Sequence, residues 1–152
     1  MHAGKRIAFW IYLANGVALL VFGWGYLTRQ TFASYHAAVT DTPWSVYPPP
    51  QQLLMLAMMK AIGSATITVA LCFLVLVAAF RRGAPWALWA VPTVGAVQAL
   101  GSLYPMLYLV ANTDAEPPLL GPLLTLVAMV AGLLFSLLWP AQPSSPRSRK
   151  IS

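Results

Sequence analysis

Charge falls on this chain in small clusters separated by long apolar runs. Uncharged stretches cover 7–28, 61–80, 83–113 and 117–146, bounded by Lys5 and Arg6, Arg29, Lys60, Arg81 and Arg82, Asp114 and Glu116, and Arg147. A bilayer core of about 30 Å takes roughly 20 apolar residues in a helix rising 1.5 Å each, so every run is long enough to cross. The pattern predicts spans at 7–28, 53–79, 86–111 and 119–139, the second reaching back through Lys60. Lipid offers no partner for a backbone N–H or C=O, and a helix pairs these groups within itself; the alternation of a barrel is absent. Short links after the second and third spans make neighbours antiparallel. The expected fold is therefore an all-α polytopic membrane protein, a single antiparallel four-helix transmembrane bundle over residues 1–140. Residues 141–152, rich in Pro, Ser and basic side chains, read as a disordered basic tail.

Composition narrows the picture. Of 152 residues 59% are apolar and 8% charged, against about a quarter charged in an average soluble domain, which excludes a soluble enzyme and a disordered chain. One cysteine excludes an internal disulfide framework. Seven of the nine basic residues (Lys5, Arg6, Arg81, Arg82, Arg147, Arg149, Lys150) fall on one side of the spans, and the three acids (Asp41, Asp114, Glu116) on the other. By the positive-inside rule both termini are cytoplasmic. The net charge of +6 is accounted for by this topology, so nucleic acid is not implied. The first apolar stretch exceeds a signal-peptide h-region of about 7–15 residues, which favours an uncleaved helix.

Between the first two spans lies the longest loop, about Arg29 to Gln52. Its Thr31 to Val39 piece predicts a short interfacial helix, Asp41 to Trp44 a turn, and Pro48, Pro49 and Pro50 a stiff extended spacer. Aromatic residues collect near both ends of the spans, as rings do at head-group depth. Small residues four apart let helix backbones approach closely; Ala57, Ala61 and Ala65, and Ala128, Gly132 and Ser136, are the candidate packing faces. A second small-residue series, Ser64, Thr68 and Cys72, lies one face over from the first. Pro92 and Pro105 predict a bend in the third span.

Most site chemistries lack their residues. His2 and His36 fall on opposite sides of the membrane, Cys72 has no partner cysteine, no nucleotide loop is present and no carboxylate lies within a span. No metal or cofactor is implied. The polar constellation that remains centres on Lys60, with Ser64 four residues on and Asn15, Gln98, Tyr104 and Tyr108 at comparable depth; His36 and Asp41 can fold over from the loop. A buried cation among acceptors suits a polar or anionic head group, whereas a lysine that snorkels to the interface needs no partner.

At Tyr35-His36-Ala-Ala with Pro43-Trp44, the Lys60 span, and Arg81-Arg82-Gly83 followed by Trp86-Ala87-Leu88-Trp89-Ala90, the chain resembles uncharacterised bacterial four-helix membrane proteins loosely similar to DoxX-like proteins. The resemblance implies a multi-pass protein of the bacterial inner membrane and assigns no reaction. Four-helix proteins that bind sterols or lipids are similar in outline, but their acidic intramembrane contacts have no counterpart here. The first expectation for function is a small non-enzymatic accessory or scaffold subunit of a larger membrane complex, associating with other subunits or with itself. The alternative is binding or transport of a lipophilic, lipid-like molecule with a polar or anionic head group in the outer half of the bundle near Lys60. A lipid enzyme would have only His36 with Ser34 or Asp41 to work with.

Overall fold

The computed structural model describes residues 3–138, and every regular element in that stretch is helical. Four long helices, α1 (Ala3–Thr28), α3 (Pro49–Arg81), α4 (Ala87–Asn112) and α5 (Leu120–Leu138), are each long and apolar enough to cross a membrane. They form one antiparallel bundle in a multi-pass membrane protein. A short helix, α2 (Ser34–Thr40), and a 3-10 turn at Trp44–Val46 occupy the first loop. The tail at 141–152 lies outside the described residues.

Local chemistry sets the helix ends. Proline at a first helical position gives up only an N–H that would have no partner anyway, and Pro49 and Pro50 open α3 rather than form an extended spacer. α3 therefore starts four residues before the expected Leu53 and runs for 33 residues, about 50 Å at 1.5 Å each. The Gln52 side chain donates to the carbonyls of Trp44 and Tyr47, both at 3.0 Å, tying the loop to the start of α3. At the other end of α3 the chain reverses through Gly83, whose φ of +85° suits glycine. Asp41 closes α2 in the left-handed region at φ 47°, which its short polar side chain tolerates.

α1 packs most extensively against α3, α5 lies against both α1 and α4, and the α3–α4 contact is smaller than these three. Glycines mark the close crossings. A Cβ on Gly63 would come within 2.6 Å of the Leu27 backbone nitrogen and 2.8 Å of the Gly23 carbonyl oxygen, so α1 and α3 touch backbone to backbone. The Tyr12 ring lies against Gly132 of α5, and Met129 against Gly95 of α4. Gly132 and Ser136 are thus buried in the bundle, as the α5 pattern suggests. On α3 the buried series is instead Met59, Gly63, Thr66, Ala70, Phe73 and Val77. Ala57, Ala61 and Ala65, expected to pack, are exposed. The correction has a physical reason: α3 is apolar on every side, so hydrophobicity does not distinguish the face that meets protein from the face that meets lipid.

The core is concentrated at one end. Ala8, Phe9, Tyr12, Phe73, Val77, Phe80, Ala87, Val91 and Met129 form a buried cluster, with Tyr12 edge-on to Phe80 at 5.5 Å. These residues lie toward the α3–α4 turn, which we call the turn end. The opposite end, which carries α2, we call the loop end.

Candidate functional site

A cavity of about 830 Å3 lies in the loop half of the bundle, lined by all four long helices and by Tyr35 and His36 of α2. Each helix contributes a stripe at alternating four- and three-residue spacing. On α1 it is Asn15, Leu19, Phe22 and Tyr26; on α4 it is Gln98, Ser102, Pro105 and Leu109. Such residues share one helix face. α3 adds Ile62, Thr66 and Val69, and α5 adds Pro122 and Thr125. Gly101 and Gly121 keep the wall thin, and neither would meet a neighbour if it carried a Cβ.

The walls are largely apolar, with polar groups at three levels. Deepest is Asn15, whose Oδ1 accepts from the Thr125 hydroxyl at 3.0 Å. Its Nδ2 is buried with no hydrogen-bond partner among the described residues. One level up, the Ser102 hydroxyl donates to the Gln98 carbonyl at 3.0 Å, and Gln98 Nε2 lies 3.4 Å from that hydroxyl. Pro105, having no N–H, cannot donate to the carbonyl four residues back at Gly101, which loses its usual helical donor beside the cavity.

At the mouth, Tyr26 and Tyr35 share a hydroxyl–hydroxyl hydrogen bond of 2.5 Å, and the Tyr35 and His36 rings lie 4.1 Å apart. Phe32 meets Trp44 at 5.0 Å and Tyr47 at 5.8 Å, both edge-on, giving the loop an aromatic centre that steadies α2. Burial lowers the pKa of His36, with the Arg29 charge acting in the same direction. Burial first, then its bond to Tyr26 and the charge interaction with Tyr26, raise the pKa of Tyr35 against an opposing effect of Arg29. Both groups are therefore held neutral. The Ala33 N–H donates to His36 Nδ1 at 3.3 Å, which assigns the proton of the neutral ring to Nε2. From Asn15 to Tyr26 is eleven residues, about 16 Å along the helix. None of the lining residues is charged.

Of the residues expected at a site, Asn15, Gln98 and His36 line this cavity. Lys60 does not. Its Nζ donates to the Leu27 carbonyl at 3.0 Å, one of the carbonyls a helix leaves unpaired at its C-terminus, and so caps α1 in place of the expected Tyr104, Tyr108 or Asp41. Tyr104 and Tyr108 are 76% and 62% exposed and face away from the bundle. Ser64 is exposed and bonds its own helix at the Ala61 carbonyl, and Asp41 is exposed in its turn. Tyr26, Tyr35, Ser102 and Thr125 also line the cavity, none of them among the residues expected at a site. The α1 and α4 stripes were the available signal, since both carry a polar residue on one helical face.

Comparisons with protein-family models, curated proteins and solved structures found no match to this chain.

Proposed function

We propose that this protein binds a lipophilic molecule carrying an uncharged polar group in the loop half of its bundle, without chemical change. The observation that carries the reading is Asn15 Nδ2, a buried donor without a partner at the deep end of an apolar cavity. An unmet buried donor costs about 1–3 kcal/mol, and a carbonyl, hydroxyl or ether oxygen on a ligand would offset that cost. The size of the cavity and its sparse polar groups are those of small-molecule sites. Of the polar or anionic head group expected around Lys60, the uncharged walls favour the neutral polar kind. The mouth and the deep end, about 16 Å apart, suit an elongated molecule with hydrogen-bonding groups toward both ends. We place the protein in the bacterial inner membrane with both termini cytoplasmic, on the charge bias of its loops and the DoxX-like motifs.

The test is mass spectrometry of lipid extracts from protein purified in mild detergent. Gly101→Leu fills the cavity where a Cβ meets nothing, and Asn15→Leu removes the deep donor. The wild type should retain a discrete neutral molecule that both variants lose while keeping their helical content. A wild-type extract indistinguishable from that of Gly101→Leu would overturn the reading.

A second reading, the accessory subunit, is supported by the exposed Ser64, Thr68 and Cys72 on α3, small side chains that the bundle leaves unused and that suit close helix association. Native mass in mild detergent tests it, and a lone monomer without a co-purifying partner would count against it.

A further inference from the structure

We propose that the turn end carries a second binding site, for the phosphate of an anionic membrane lipid, formed by Arg6 and Arg81 beside the rings of Phe9 and Trp10. These four residues line a recess of about 490 Å3, separate from the cavity at the loop end. Arg6 lies in the first turn of α1 and Arg81 is the last residue of α3. The two helices are antiparallel and closely packed, so the charges come from distant parts of the chain to one recess. Arg81 Cζ sits 5.2 Å from the Phe9 ring centre, and Phe9 is buried and edge-on to Trp10 at 5.2 Å. Stacking of this kind steadies a guanidinium while leaving its N–H edge free to donate.

Two features make the occupant a lipid phosphate. Asp41, Asp114 and Glu116, the three acids of the chain, all lie at the loop end, so no side-chain carboxylate of this protein competes for the two arginines. A planar guanidinium matches phosphate oxygens two at a time. The surface leading away from the recess is apolar: below Arg6 on α1 run the exposed Trp10, Val17 and Val21, and below Arg81 on α3 the exposed Leu71. That surface suits acyl chains attached to the bound head group and offers nothing to a free phosphate ion. Basic recesses between transmembrane helices recognise anionic head groups in this way.

Native mass spectrometry of the full chain in mild detergent, with phosphatidylglycerol or phosphatidylcholine of identical acyl chains, tests the proposal. Phosphatidylglycerol should be retained in preference. Arg6→Gln and Arg81→Gln should each weaken its retention about fivefold, from roughly 1 kcal/mol per basic residue near the surface. A tail variant with Arg147, Arg149 and Lys150 all changed to Gln should retain it as the wild type does. If the Gln variants lose their helical circular dichroism, the Arg6→Lys, Arg81→Lys pair decides: it keeps the charge but not the planar fork, and reduced selectivity supports the site whereas wild-type selectivity overturns it. Equal retention of the two lipids, loss in the tail variant alone, or full displacement by inorganic phosphate would each overturn the proposal, the last by making it a soluble-phosphate site.

Discussion

An ammonium group can sit within an apolar helix where a neighbouring helix ends and exposes its last carbonyls. Lys60 meets that condition at Leu27, so its desolvation is offset by a protein acceptor and by the negative end of the α1 dipole. Lys60→Met removes a charge-assisted bond but also relieves the burial of a charge. The expected net effect is a loss of about 1 kcal/mol in thermal unfolding, with retention of any co-purified molecule unchanged. Loss of that molecule from a folded Lys60→Met protein would show that the lysine reaches the cavity after all. His36 acts in a different way. Its pKa is lowered from 6.5, so the unfolded or undocked segment binds a proton more readily than the docked one. The contribution of neutral His36 to docking is complete above about pH 6.5 and declines as the pH falls below it. The protection of the 34–40 amides, taken relative to the intrinsic exchange rate at each pH, should therefore fall between about pH 7.5 and 5.5. In His36→Gln that fall should vanish, and its persistence would assign it to another group.

At the scale of the helices, the α1–α3 crossing is the least forgiving contact. A side chain on Gly63 would run into the backbone of Gly23 and Leu27, which cannot rotate away as a side chain can. Gly63→Leu is expected to destabilise the bundle by about 1–3 kcal/mol. Gly101→Ala, with open space around its Cβ, should be neutral or stabilising by up to about 1 kcal/mol through helix propensity. Paired thermal unfolding curves in detergent check the contrast, and equal effects would mean that Gly63 faces lipid. The same helices show what sequence makes legible. Span positions emerge because a charge inside lipid is costly, so gaps between charges delimit helices. The facing of α3 does not emerge: Ala57, Ala61 and Ala65 fit the small-residue rule as well as Gly63 does, and lipid is as apolar as a neighbouring helix. The site was legible where polarity is rare, at Asn15 and Gln98, and hidden at Tyr26 and Tyr35, because rings near span ends look alike whether they anchor at the interface or guard a cavity.

For the whole molecule, orientation is the property with the most direct test. On the proposed orientation, with both termini cytoplasmic, a cysteine placed at Ser45 should react with an impermeant reagent in intact cells and one at Ser148 should not; the reverse pattern would invert the topology. Packing is also uneven from end to end, with the aromatic core at the turn end and the cavity toward the loop end. The place where the cavity reaches the surface bears on how occupancy is to be measured. Ile62 and Ala65 on α3 and Gly101 and Pro105 on α4 are both exposed and part of the cavity lining. Under the proposed function, a molecule entering between them arrives from one leaflet of the bilayer rather than from water. The concentration governing saturation is then its mole fraction among the lipids of that leaflet. Adding empty detergent micelles would lower occupancy by dilution at constant total ligand, and a dissociation constant expressed per litre of buffer would change with every change in the amount of membrane.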